Sequence, residues 1–170
     1  MRILFDICHP AHVHVFRNPI GLLADRGHEI LLTSRDKDIS LALLDQLGLP
    51  HRTLSAQSAP GMFALARELA VRDTRLVKFV REFRPDVMAA VGGIFIAHAG
   101  VLTRTPSLVF YDTENAVLQN LLTYPFATRV IVPRCYQGRS LGWKWLNSMA
   151  SSLLKSKGIR SKCVGSALTI

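Results

Sequence analysis

Residues 1–16 read MRILFDICHPAHVHVF, and the junction inside that stretch decides the fold. From Ile3 to Cys8 the chain is apolar except at Asp6, as expected of a strand buried on both faces. Beyond it, Val13, Phe16, Ile20, Leu23 and Ala24 recur at helical spacing. Gly27, in the run Asp25-Arg26-Gly27-His28-Glu29, is placed to stop that helix, because glycine takes the left-handed conformation found past helix ends. Pro19 lies within the helical pattern, which predicts a kinked helix from about residue 12. Between strand and helix the chain places His9, His12 and His14.

The alternation continues outward. Strand patterns fall at 2–8, 28–33, 51–54, 86–91, 107–111 and 129–133. A helix is predicted over 38–47, with Ile39, Leu43, Leu44 and Leu47 inward and Gly48 as its stop. A long helix is predicted over 61–83. Leu65, Leu69, Leu76, Phe79, Val80 and Phe83 line one side of it, and Arg67, Arg72, Arg75, Lys78 and Arg81 read as a solvated basic face. Shorter helices are expected at 94–104 and 114–122. Strands alternating with helices across short connections form βαβ units, so the fold class is α/β: a Rossmann-like, doubly wound parallel sheet of about six strands.

Such a sheet binds ligands beyond the carboxyl ends of its strands, where the strand order reverses. Four turns meet that edge: His9-Pro10-Ala11-His12, Ser34-Arg35-Asp36, Gly92-Gly93 and Asp112-Thr113-Glu114-Asn115. His9 and His12 suit acid–base work or contact with a phosphate; the plainer alternative is that they cap a helix or bond within the turn. Gly92-Gly93 either exposes backbone N–H groups to an anion or sugar hydroxyl, or serves only as a tight turn. Asp112 and Glu114 can orient hydroxyls, or can simply favour a helix N-terminus. Cys8 reads as a small core residue. No metal is expected, since no cysteine or carboxylate completes a set with the histidines.

Composition narrows the function classes. Apolar residues make up 49% of the 170, enough for a packed core, and charged residues only 19%, which argues against wholesale disorder. The uncharged stretch Val87–Thr103 is just short of a membrane span and reads as a buried strand followed by a helix. Three distant cysteines suit a reduced, cytoplasmic setting better than a disulfide framework. The net charge of +9 is uneven: residues 1–133 carry +2, and 134–170 carry +7 with no acidic residue. The basic character thus belongs to the tail, and nucleic-acid binding is not expected of the body.

The stretches HPAHVHVFRNPIGLLADRGHEI (9–30), RPDVMAAVGGIFIAHAGVLTRTPSLVFYDTENAVLQNLLTYPFAT (84–128) and RVIVP (129–133) resemble the family known as domain of unknown function 354. That family is in turn similar to the GT-B glycosyltransferases, which pair two Rossmann-like domains across a cleft. The UDP-N-acetylglucosamine transferase of peptidoglycan lipid synthesis is one of these, and UDP-N-acetylglucosamine 2-epimerases share the architecture. The resemblance implies the N-terminal half of a GT-B fold over residues 1–135, the acceptor-side domain. It aligns His12 with a histidine that ends the transferase's first glycine-rich loop, although that loop here reads His-Pro-Ala-His. It aligns Gly92 and Gly93 with the second glycine loop, and the run Thr113–Asn120 with the stretch after the fifth strand.

On this resemblance His12 is the expected catalytic residue. His9, His14, Gly92, Gly93, Asp112, Thr113, Glu114, Asn115 and Asn120 are the expected substrate-binding residues. No cofactor is implied, and a nucleotide-sugar donor is expected only of a full-length relative. The expected partner is a sugar or glycolipid-type acceptor. A second Rossmann-like domain needs roughly another 150 residues, so the chain reads as a half-molecule with little turnover of its own. Residues 136–170 form a basic, serine-rich tail with both tryptophans, read as frameshifted or truncated sequence. The alternative is a binding module whose residues 139–170 recruit a separate C-terminal-domain chain or contact an anionic membrane at the inner face.

Overall fold

In the computed structural model, residues 1–36, 39–56, 62–111 and 117–132 are described, with backbone alone at 55–56 and 62–66. Six strands and five helices alternate along them. They are β1 (Arg2–Ile7), α1 (Pro10–Asp25), β2 (Glu29–Asp36), α2 (Ser40–Gln46), β3 (His51–Ala56) and α3 (Met62–Phe83), followed by β4 (Val87–Val91), α4 (Ile94–Thr103), β5 (Ser107–Phe110), α5 (Val117–Thr123) and β6 (Arg129–Ile131). The strands form one sheet in the order β3-β2-β1-β4-β5-β6, every pairing parallel. This is the Rossmann-like, doubly wound order expected from the alternation, and it reverses between β1 and β4.

Two apolar clusters show how the sheet is covered. Ile3, Phe5 and Ile7 of β1 pack with Val13, Phe16 and Ile20 of α1 and Leu44 of α2. Leu4 packs with Leu76, Val77 and Val80 of α3, Ile96 and Ala99 of α4, and Met88 and Ala90 of β4. Successive strand residues point to opposite faces, so β1 divides cleanly between the two layers. Asp6 and Cys8 follow Leu4 on the α3 face.

Several local expectations are corrected. The first helix starts at Pro10, not near residue 12: His9 is its N-cap, and proline at the first helical position lacks only an N–H that has no partner within the helix. Pro19 lies inside it, exposed. β2 runs on to Asp36, so Ser34-Arg35-Asp36 is strand and not turn, with a register shift against β3 between Ser34 and Arg35. In the second helix Ile39 and Leu47 are exposed; Ser40 and Leu44 are buried there.

The largest correction concerns the supposed basic face of α3. Arg67, Arg75, Lys78 and Arg81 are exposed as expected, Arg75 also donating to the Leu54 carbonyl at 2.5 Å, but Arg72 is fully buried. The physical reason is register. Two strand residues advance about 6.7 Å and four helical residues about 6 Å. A helix antiparallel to β1 that sets Leu76 in the cluster of Leu4 therefore brings Arg72 level with Asp6.

Candidate functional site

The turn after β1 is built by its own histidines. His9 Nδ1 accepts the Ala11 N–H at 3.2 Å and its carbonyl accepts the His12 N–H at 3.0 Å, closing the first turn of α1. His12 is half-buried, and its Nδ1 accepts the backbone N–H of Cys8 at 3.3 Å. A ring nitrogen that accepts a hydrogen bond carries no proton, so the neutral imidazole of His12 holds its proton on Nε2. In that state it is a donor, suited to a phosphate or sugar oxygen. The two rings lie 5.8 Å apart. His14 is exposed, on the side of α1 away from Val13, Phe16 and Ile20.

Beneath this turn lies a buried polar network that the sequence reading missed. Arg72 Nη2 donates to Asp6 Oδ1 at 2.7 Å, and both side chains are fully buried. The Thr33 hydroxyl donates to the same carboxylate oxygen at 2.8 Å. The Cys8 thiol donates to Asp6 Oδ2 at 3.3 Å, and Arg72 Nη2 lies 3.3 Å from Cys8 Sγ. Burial first, then the Asp6 carboxylate, pushes the Cys8 thiol far up from its ordinary value against the pull of Arg72. Cys8 is thus a protonated donor locked in a network, where the sequence suggested a plain core residue. Burial, the largest single effect, lowers the Arg72 pKa, but the charge and hydrogen bond of Asp6 together with Cys8 and Glu68 outweigh it, and the net shift is upward. Beside it, Arg35 pairs with the buried Glu68 at 2.5 Å.

The same guanidinium reaches the second predicted turn. Arg72 Cζ stands 4.6 Å from the centroid of Phe95, in the first turn of α4 and two residues beyond Gly93. Gly92 has a φ of +58°, and a Cβ there would strike the Gln119 amide. Gln119 Nε2 donates to the Gly92 carbonyl at 2.8 Å, which ties α5 to this turn. The Gly92 N–H is spent on Phe110 O at 2.8 Å, so Gly92 serves as sheet and turn and offers no donor outward. Gly93 caps α4; a Cβ on it would come within 2.7 Å of Ile96 Cγ1 and 2.8 Å of Ala90 Cβ. The Ile94 N–H at the start of α4 donates to the Gly92 carbonyl at 2.9 Å, whereas those of Phe95 and Ile96 have no acceptor within the helix, as at any helix start.

The structure thus brings His9, His12, Gly92 and Gly93 to one sheet edge, at the ends of the neighbouring strands β1 and β4. Asn120 is half-buried on α5, its Oδ1 enclosed with no hydrogen-bond partner among the described residues. Asp112, Thr113, Glu114 and Asn115 lie outside the described residues. Among the described residues no three His, Cys, Asp or Glu side chains gather as a metal set. No helix among them is long and apolar enough to cross a membrane.

Farther along α4, His98 joins three helices. Its Nδ1 donates to Asp73 of α3 at 2.8 Å and its Nε2 to the Leu122 carbonyl of α5 at 2.9 Å. Two acceptors require both ring N–H groups, and the Asp73 bond above all raises the His98 pKa against a smaller effect of burial. Phe126 packs edge-on against the ring.

Over residues 1–143 the sequence matches the family described as "Protein of unknown function (DUF354)". The chain belongs to that family. Comparison with curated proteins returned no match. The DUF354 chain does share its fold with solved structures. MurG of Acinetobacter baumannii superposes with a TM-score of 0.64 at 15% identity, covering 83% of this chain and 43% of that one. A UDP-GlcNAc 2-epimerase from Neisseria meningitidis, bound to UDP-GlcNAc, gives 0.65 at 13% identity over 95% of this chain and 44% of that one. The UDP-GlcNAc 2-epimerase of Methanocaldococcus jannaschii gives 0.63 at 13%, over 94% and 43%. The DUF354 chain therefore has the Rossmann-like fold of one half of GT-B glycosyltransferases and these epimerases, and spans less than half the length of each.

Proposed function

We propose that this chain forms the acceptor-side wall of a glycosyltransferase-like cleft, with a second Rossmann-like domain opposite holding a nucleotide-sugar. The observation that carries this reading is the meeting of the histidine turn and the glycine turn at the switch point, around one buried guanidinium. His12 offers its Nε2–H to a phosphate or sugar oxygen. The α4 start offers backbone N–H groups and the positive end of the helix dipole to the same kind of group. The similarly folded UDP-GlcNAc 2-epimerase of Neisseria meningitidis holds UDP-GlcNAc, which supports a sugar phosphate as the ligand class.

The test is a titration of the ¹⁵N-labelled chain with N-acetylglucosamine 1-phosphate and with UDP-GlcNAc. Amide shifts are expected to concentrate at residues 8–12 and 92–96, with Arg2, Asp86 and Thr105 at the opposite edge unmoved. Replacing His12 by Ala is expected to weaken binding about tenfold or more, since a hydrogen bond to a charged group contributes about 1.5–3 kcal/mol. Shifts confined to the opposite edge, or none at millimolar ligand, reject the reading. Two alternatives are kept. An epimerase-like enzyme is supported by the coverage of this chain by the two epimerases, 94% and 95%; it would convert UDP-GlcNAc with no added acceptor. A non-catalytic module acting through its basic tail would co-purify with a nucleotide-binding chain or bind anionic vesicles.

A further inference from the structure

We infer that Arg72 is a positioning residue for His12, acting through Asp6 and Cys8 from beneath the site. This rests on the reading of His12 as the ligand-facing donor.

The path is short and every link is a hydrogen bond. Arg72 and Thr33 fix one oxygen of Asp6 at 2.7 and 2.8 Å. The other oxygen accepts the Cys8 thiol, which also lies 3.3 Å from Arg72 Nη2. Cys8 is held by its side chain, and its main-chain N–H in turn meets His12 Nδ1. That last bond selects the tautomer: with Nδ1 occupied as acceptor, the proton resides on Nε2. A buried ion pair is a poor source of stability against apolar residues of equal volume, so its presence under a functional turn calls for another reason. Orienting the histidine is one. Arg72 also packs on Phe95, so the same guanidinium sets the distance between the histidine turn and the start of α4.

The experiment reads the ring nitrogens of His12 by long-range ¹H–¹⁵N correlation on the full chain at pH 8. In the native protein Nδ1 is expected in the unprotonated range and Nε2 in the protonated range. Asp6→Asn or Arg72→Met alone leaves a buried group uncompensated and risks the fold. The informative variants are therefore Asp6→Leu with Arg72→Met, which exchanges the pair for apolar bulk, and Cys8→Ala, which cuts the link but keeps the pair. In both, with folding verified by circular dichroism, the two nitrogen shifts are expected to converge as tautomers interconvert. Cys8→Ser restores a donor to Asp6 and is expected to restore the native shifts.

Binding of N-acetylglucosamine 1-phosphate should fall about tenfold in the Asp6→Leu/Arg72→Met protein, with no further loss on adding His12→Ala, because coupled residues are non-additive. A protonated Nδ1 in the native chain overturns the inference. So do native His12 shifts in the folded Asp6→Leu/Arg72→Met protein. Should the tautomer follow the pair while no sugar phosphate moves His12, the positioning role stands and the sugar-site reading falls.

Discussion

At the scale of single residues, Asp6 and Arg72 behave unlike any other charges described here. Neither side chain reaches solvent, so each charge is held by the other and by the hydrogen bonds around it, those of Thr33 and Cys8 to Asp6 among them. Arg72→Met is expected to cost about 3–5 kcal/mol in urea denaturation, because it strands a buried carboxylate, and Asp6→Leu in the same chain should recover most of that loss. The pair was legible in part. Asp6 is the lone charge between Ile3 and Cys8, and Arg72 falls within the stripe of Leu69, Leu76 and Phe83 at three- and four-residue spacing. Two opposite charges set within apolar patterns are a signal for a buried pair. What the sequence does not contain is which strand α3 covers, and in what register. His98 carries a second prediction. Its pKa is raised in the folded chain, chiefly by the Asp73 bond, so its contribution is complete below about pH 6.5. It fades as pH rises through the folded value. The melting-temperature gap between the native chain and His98→Gln should therefore be widest at pH 6 and narrow toward pH 9; a gap that widens with pH contradicts the assignment.

Among elements, the β4–α4 turn shows most clearly how a sequence motif can be placed correctly while its chemistry divides. Gly92-Gly93 was expected either to offer donors or to allow a tight turn. The two glycines differ: Gly92 turns the chain at φ +58° and spends its N–H on β5, whereas Gly93 sits at the helix start with Ile96 and Ala90 crowding its α-carbon. Gly92→Ala is expected to cost about 1–2 kcal/mol from the left-handed backbone alone, with more from displacing Gln119. Because Gln119 holds α5, hydrogen exchange in α5 should quicken in the same variant. In a Gln119→Ala background the exchange effect should vanish while the backbone cost remains. Strands and helices were legible to within a few residues because Gly27, Gly48 and the Arg84-Pro85-Asp86 break punctuate them. Gln119 was not, since nothing in a helix of seven residues announces which carbonyl its amide will find.

For the whole molecule, charge and fold divide the chain differently from function. The six-stranded order was legible from strand–helix alternation and the preference of βαβ crossovers for one hand, and it locates the candidate site at the β1–β4 junction. Residues 134–170, outside the described residues, carry seven Lys or Arg and no acid. Each basic residue close to an anionic bilayer contributes about 1 kcal/mol, screened within a Debye length of about 8 Å at physiological salt. Seven such residues with no acid among them are ample for reversible attachment at low salt, whereas in the body at net +2 the basic residues are nearly balanced by acidic ones. The full chain is therefore expected to sediment with phosphatidylserine-containing vesicles at low ionic strength and to be released as salt rises, and a chain ending at residue 135 should stay in solution throughout. The same truncation should leave the melting temperature and the His12 ring shifts unchanged, because every strand among the described residues and every link from Arg72 to His12 precedes it. Sedimentation that persists in the shortened chain would move the attraction onto the folded body, and a fall in melting temperature would make the tail part of the domain.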